Sequence, residues 1–166
     1  MASTARTKDG VFGIVIDDVT ISQIDRLCMA AGDVETGGII IGRYSDDRST
    51  AIIVEATSAP TDSRGGRLSF VRGVKGLGGL LRTRWRSKER TYYLGEWHFH
   101  PATVIEPSTQ DFREMAQIAA AVNYRCKEPI LMIFAKRLNV GDPPPVRAFV
   151  CPVGREPLEL VNGSLS

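Results

Sequence analysis

Three consecutive isoleucines, Ile39-Ile40-Ile41, follow Gly37-Gly38 and are closed by Gly42. Alternate side chains of a strand face opposite ways, so an unbroken apolar run needs burial on both faces. A chain that contains such a strand must cover it from two sides. Residues 51–57 are β-branched and are placed to pair with it across a turn at 45–49.

The remaining elements follow from periodicity. Residues 11–16 read as a strand. Asp17 to Thr20 offers helix caps, Ile21, Ile24, Leu27, Cys28 and Ala31 recur at helical spacing, and Gly32 is a C-cap. Residues 68–71 suggest a short strand, 74–88 an amphipathic helix, 92–100 a strand and 108–123 a helix. Two further strands are expected at 130–135 and 146–151. The fold class is therefore α/β, a single-domain mixed β-sheet sandwiched by helices. A length of 166 residues supports one core. The domain is expected over 10–155, with a flexible N-terminal tail at 1–9 and a C-terminal tail at 156–166.

Composition narrows the function. A formal net charge of +2 gives no general attraction to nucleic acid. Nine lysines and arginines do crowd residues 64–90, where Asp62 and Glu89 are the nearby acids. Cys28, Cys126 and Cys151 form no CxxC pair and read as free, buried thiols of a reducing compartment. The first residues lack an apolar signal core, and no run approaches the ~18 apolar residues of a membrane span. The expectation is a cytoplasmic protein with no membrane partner.

The two histidines of the chain both fall in Glu96-Trp97-His98-Phe99-His100-Pro101. On a strand, His98 and His100 project from one face with Glu96 behind them, and Trp97 and Phe99 point the other way. Two imidazoles and a carboxylate can hold a zinc ion with one position left for water. Asp111 supplies the carboxylate, in the first turn of the helix that Ser108 would cap. Each residue also has an ordinary reading. Buried histidines can be hydrogen-bonded without a metal, and Ser-x-x-Asp resembles a capping box that the helix dipole favours unaided. Hydrolysis further needs a base. Glu35, just before Gly37-Gly38, is the candidate; it could instead be a solvated loop residue. Glu96 is the rival base, or else a partner of the histidine face.

Glu35-Thr36-Gly37-Gly38-(x)3-Gly42, with His98-Phe99-His100-Pro101-(x)5-Pro107-Ser108-(x)2-Asp111, resembles the JAMM motif of the JAB/MPN zinc metalloproteases. The order of strands and helices is similar to that fold over roughly residues 10 to 152. The resemblance implies that His98, His100 and Asp111 ligate one Zn²⁺, that Glu35 is the general base, and that Ser108 donates to the oxyanion. It implies an (iso)peptidase that cuts after the C-terminal glycines of a ubiquitin-like protein or a conjugated target. An extended glycine tail could thread a narrow groove or add to an exposed strand edge. The chain is most similar to compact bacterial JAB deconjugating peptidases of mobile-element and anti-phage operons, which stand beside E1/E2-like enzymes. Processing of a sulfur-carrier protein would use the same chemistry, and a phage-tail or cell-wall peptidase is a more distant reading. A different class also stays open: a non-catalytic module that binds an acidic partner or nucleic acid through residues 64–90. The absence of a DNA-binding motif and of interleaved aromatics argues against nucleic acid.

Overall fold

The computed structural model describes residues 1–102 and 105–165, apart from the side chain of Asn162. Ten strands and three α-helices follow one another along them. They are β1 (Ala2–Thr7), β2 (Gly13–Asp17), α1 (Asp18–Ala31), β3 (Thr36–Tyr44), β4 (Thr50–Ala56), β5 (Arg64–Gly65), β6 (Phe70–Val71), α2 (Leu77–Arg86), β7 (Tyr92–His100), α3 (Thr109–Ala120), β8 (Ile130–Ala135), β9 (Val146–Val150) and β10 (Leu158–Ser164). A single 3₁₀ turn, Val122–Tyr124, follows α3.

Eight strands close into a barrel in the order β1-β10-β9-β8-β7-β3-β4-β2, and β2 pairs back onto β1. Two pairings are parallel, β2 with β4 and β7 with β8, so the sheet is mixed as expected. It is not an open sheet between helix layers, which corrects the sandwich expectation. The cause lies at the two ends of the chain. Residues 1–9 and 156–166 were expected as tails, but β1 and β10 pair with each other antiparallel and seal the sheet. β1 has no large apolar residue to mark its alternation, and β10 has only a short apolar start; Ala5 and Leu160 carry the inward face.

One core fills the barrel. It takes side chains from all eight strands, including Ile14, Ile40, Ile53, Trp97, Phe134 and Leu160, together with Ile21, Ile24 and Cys28 of α1. Full burial of such side chains stabilises the fold by ~1.5–3 kcal/mol each before entropy is counted. A second core lies outside the barrel, where Ile39, Ile41, Leu131 and Ile133 meet Met115 and Ile118 of α3 and the leucines of α2. The isoleucine run is thus buried on both faces, as its sequence requires.

Local chemistry places the helices. Asp17 Oδ1 accepts from Thr20 N at 2.6 Å to start α1, and Gly32, at φ 66°, ends it. α2 begins only at Leu77, later than the pattern suggests, because Gly76 at φ 84° leaves the helical region. α3 stops at Ala120, since Ala121 turns extended with ψ 120°. Gly95, at φ 154°, forms a bulge against Ile130 that skips Leu94 in the pairing with β3. The bulge leaves both Leu94 and Trp97 in the inner core and turns Glu96, His98 and His100 outward. Among the described residues, no helix is long and apolar enough to cross a membrane.

Candidate metal centre

β7 carries the histidines between β3, antiparallel, and β8, parallel. Its last turn leads through Pro101 to α3, whose first turn comes back over the strand. Ser108 caps α3: its Oγ accepts from Asp111 N at 3.1 Å, and its own N–H donates to Asp111 Oδ2 at 2.6 Å. The capping box forms, and the same aspartate faces both histidines. His98 Nδ1 lies 2.8 Å from Asp111 Oδ1, and His100 Nε2 lies 3.6 Å from Asp111 Oδ2. One donor atom from each of His98, His100 and Asp111 falls within 4.8 Å of the other two. Two nitrogens and one carboxylate oxygen at that separation are a donor set that could hold a first-row metal ion. The two readings of Asp111, cap and ligand, are therefore compatible in one geometry.

Burial and charge set the protonation of the group. His98 is sequestered, with 2 % of its side chain exposed. Burial works against its charge but is outweighed by hydrogen bonds to Asp111 and Glu96, which lift its pKa to about 9. Asp111 is pushed down to about 2: burial opposes the shift, and the bonds from His98 and Ser108 overcome it. His100 is shifted the other way, lowered mainly by burial and then by the His98 charge, so it stays neutral.

Glu96 does not face the Asp111 side. Its Oε2 is 3.2 Å from His98 Nε2, on the opposite edge of the ring, and Oε1 accepts from Arg72 Nε at 2.7 Å. Tyr93 OH also donates to Oε1 at 3.4 Å. Burial would raise Glu96, yet the His98 hydrogen bond and the Arg72 charge hold its pKa below the usual value. Glu96 is thus engaged by the His98 ring and the Arg72 guanidinium on the side of the imidazole away from Asp111. Arg72 in turn donates to Tyr124 OH at 2.7 Å.

Glu35 enters through β3. Glu35 directly precedes the strand, whose antiparallel register pairs Thr36 with Phe99 and Gly37 with His98. Its backbone N–H donates to Gly66 O at 2.8 Å, which ties it to the β5–β6 hairpin. The side chain is half-buried, and its pKa is raised by burial and then by the Asp111 carboxylate. Gly37 is required here. A Cβ would strike Trp97 O, Phe70 and the His98 ring, whose Cδ2 would lie at 3.0 Å. Phe70 of β6 stands edge-on to His98 at 5.6 Å between ring centroids and covers it from solvent.

Arg72, Tyr93, Tyr124 and Phe70 escape a sequence reading. Arg72 was one of nine cations in a segment that reads as a solvated face, yet its side chain is 6 % exposed. A buried arginine needs a buried acid, and Glu96 on the histidine face was the one available signal.

Known proteins resemble this chain in sequence and in fold. The chain is 48% identical over 160 residues to a "CD-NTase/cGAS isopeptidase" of Enterobacter hormaechei subsp. hoffmannii, covering 95% of this chain and 85% of that protein. It is 32% identical over 108 residues to a protein of the same name from Pseudomonas aeruginosa, covering 63% of this chain and 65% of that one. Over 103 residues it is 29% identical to the "Probable metalloprotease y4qB" of Sinorhizobium fredii, with 61% and 62% covered. The solution structure of protein DSY2949 from Desulfitobacterium hafniense shares the fold, with a TM-score of 0.57, 17% identity and 87% of each chain covered. These relatives support a hydrolase of the deconjugating peptidase kind. Residues 18–151 match the family described as prokaryotic homologs of the JAB domain, and the chain belongs to that family.

Proposed function

We propose that this chain is a zinc-dependent (iso)peptidase that releases a conjugated protein, such as a CD-NTase, from a lysine side chain or a linear fusion. The carrying observation is the convergence of His98, His100 and Asp111 within 4.8 Å, with a Glu35 carboxyl close enough to feel the charges of Asp111 and His98. The names of the Enterobacter and Pseudomonas relatives support a CD-NTase as the conjugated partner and an anti-phage setting.

His98, through Nδ1, His100 and Asp111 would hold the ion. A zinc ion there supplies Lewis acidity toward the scissile carbonyl and makes water a nucleophile near neutral pH. Glu35 takes the proton from the attacking water as its oxygen adds to the carbonyl carbon. When the carbon–nitrogen bond breaks, Glu35 returns that proton to the leaving amine. Its raised pKa suits a group that must accept a proton and then give it back. Ser108 donates to the oxyanion. In the resting chain its hydroxyl donates to Asp111 Oδ2 at 2.7 Å, so this role requires the hydroxyl to turn toward the substrate.

The test is a CD-NTase C-terminal peptide joined through an isopeptide bond to a labelled lysine peptide. Cleavage is expected with zinc and absent after chelation. Glu35→Ala slows it at least ~10²-fold while the metal content is retained. Undiminished cleavage by Glu35→Ala or His98→Ala would overturn the reading.

A further inference from the structure

Outside the metal centre, a groove of about 610 Å³ opens between α2, the β3–β4 turn and the 3₁₀ turn after α3. Arg82 and Arg86 line it from α2, Arg48 from the β3–β4 turn, and Arg125 from the far side. Its lining contains no carboxylate. Arg72, Arg84, Arg137 and Arg147, by contrast, each face an acid: Glu96, Glu55, Asp25 and Glu159 respectively. Among the described residues, the four groove arginines form no ion pair, and all four are exposed. Trp85 is 54% exposed at the groove, and Tyr92 packs against it with ring centroids 6.1 Å apart. Surface tryptophans and arginines around a concave site are the residue types that dominate binding hot spots.

The groove abuts the residues that back His98. Tyr93 and Tyr124 belong to its lining, and they are the two tyrosines bonded to Glu96 and Arg72. It shares Tyr124 with a hollow of about 270 Å³ that Arg72, Glu96 and Glu114 also line. From this adjacency and the charge, we infer that the groove binds an acidic segment, with interspersed apolar residues, of the protein that the enzyme processes. The inference rests on the peptidase reading for the identity of its ligand. Guanidinium groups take carboxylates bidentately, and the aromatic rings take the side chains between them. A nucleic-acid site would instead spread its cations along the track of a phosphate backbone. Here they ring one pocket.

Fluorescence anisotropy with the full, metal-free chain tests this without catalysis. The probe is a fluorescein-labelled Asp-Glu-Phe triplet repeat. Its lysine-for-acid counterpart and a labelled thymidine 12-mer serve as rivals. The acidic peptide is expected to bind saturably and more weakly as salt rises. Arg82→Glu with Arg86→Glu, and separately Arg48→Glu with Arg125→Glu, each weaken it at least ~10-fold. Arg26→Glu with Arg155→Glu, far from the groove, leaves it unchanged. Circular dichroism identifies any variant that fails to fold, and the other double reversal then gives the answer. Wild-type affinity in both reversals, equal binding of the lysine peptide, or tighter binding of the thymidine 12-mer overturns the inference. Zinc-dependent isopeptide cleavage with no acidic-peptide binding overturns it alone. Binding without such cleavage overturns the peptidase reading alone.

Discussion

His98 Nε2 lies 3.2 Å from Glu96 Oε2, with the opposite ring nitrogen turned to Asp111. The ring is thus gripped at both nitrogens by carboxylates, which fixes its orientation toward Asp111. Glu96→Gln is expected to weaken metal binding by ~10–100-fold, measured against a chromophoric chelator. It also leaves Arg72 buried without a counter-charge, a loss worth about 3–5 kcal/mol in thermal or denaturant unfolding. Pairing Glu96→Gln with Arg72→Met restores much of that stability and none of the affinity. An unchanged metal Kd in Glu96→Gln would show that the carboxylate does not set the ring.

Metal binding is expected to expel a proton. In the metal-free chain, burial disfavours the His98 charge but the bonds to Asp111 and Glu96 hold its pKa at about 9, above the ordinary 6.5. The cation needs the neutral ring, so affinity rises ~10-fold per pH unit between about 7 and 8.5 and levels above about 9. Asp111 is already ionised and contributes nothing to this slope. Calorimetry at pH 7 in two buffers of different ionisation enthalpy reads the proton directly. The stability of the metal-free fold runs the opposite way: the His98 contribution is full below about 6.5 and is lost as pH rises through about 9.

Gly37→Ala forces a methyl group into Trp97 O, Phe70 and the His98 ring. Overpacking of this kind costs ~1–3 kcal/mol. The expected result is a lower unfolding midpoint together with a weaker metal site, because the strain falls on the ligand itself. A midpoint shift with full metal affinity would place the relaxation on Phe70 alone.

Removing residues 158–166 deletes β10 and unseats Leu160, which is 5 % exposed. It also unpairs one side of β1 and one side of β9. The lost burial and ladder are expected to lower the unfolding midpoint by at least about 10 °C. Cooperative unfolding at the original midpoint would mean that the closing strands are ornamental.

The central elements were legible in the sequence because they are long, apolar and buried on both faces. Strand β7 and strand β8 occur at the residues their patterns indicate, and α1 runs between the caps Asp17 and Gly32. The histidine face was legible too, since a period of two is simple to read. Closure of the sheet was not, because β1 carries small and polar residues, β10 shows only a short Leu158-Glu159-Leu160 alternation, and their pairing joins the two ends of the chain. Nor was the Arg72–Glu96 pair, whose members are 24 positions apart. Such a pair is defined by a barrel surface that exists only after folding, and local periodicity carries no trace of it.

Closure of the barrel has a consequence for any extended tail that reaches the site. Each barrel strand has a neighbour on both sides, so the main sheet offers no vacant edge to an incoming strand. A tail that added to an edge, rather than threading a groove, would have the small β5–β6 hairpin to lengthen. That hairpin holds the Glu35 backbone through Gly66 and shields His98 through Phe70. A guest strand there would press at once on the backbone of Glu35 and on the ring that covers His98.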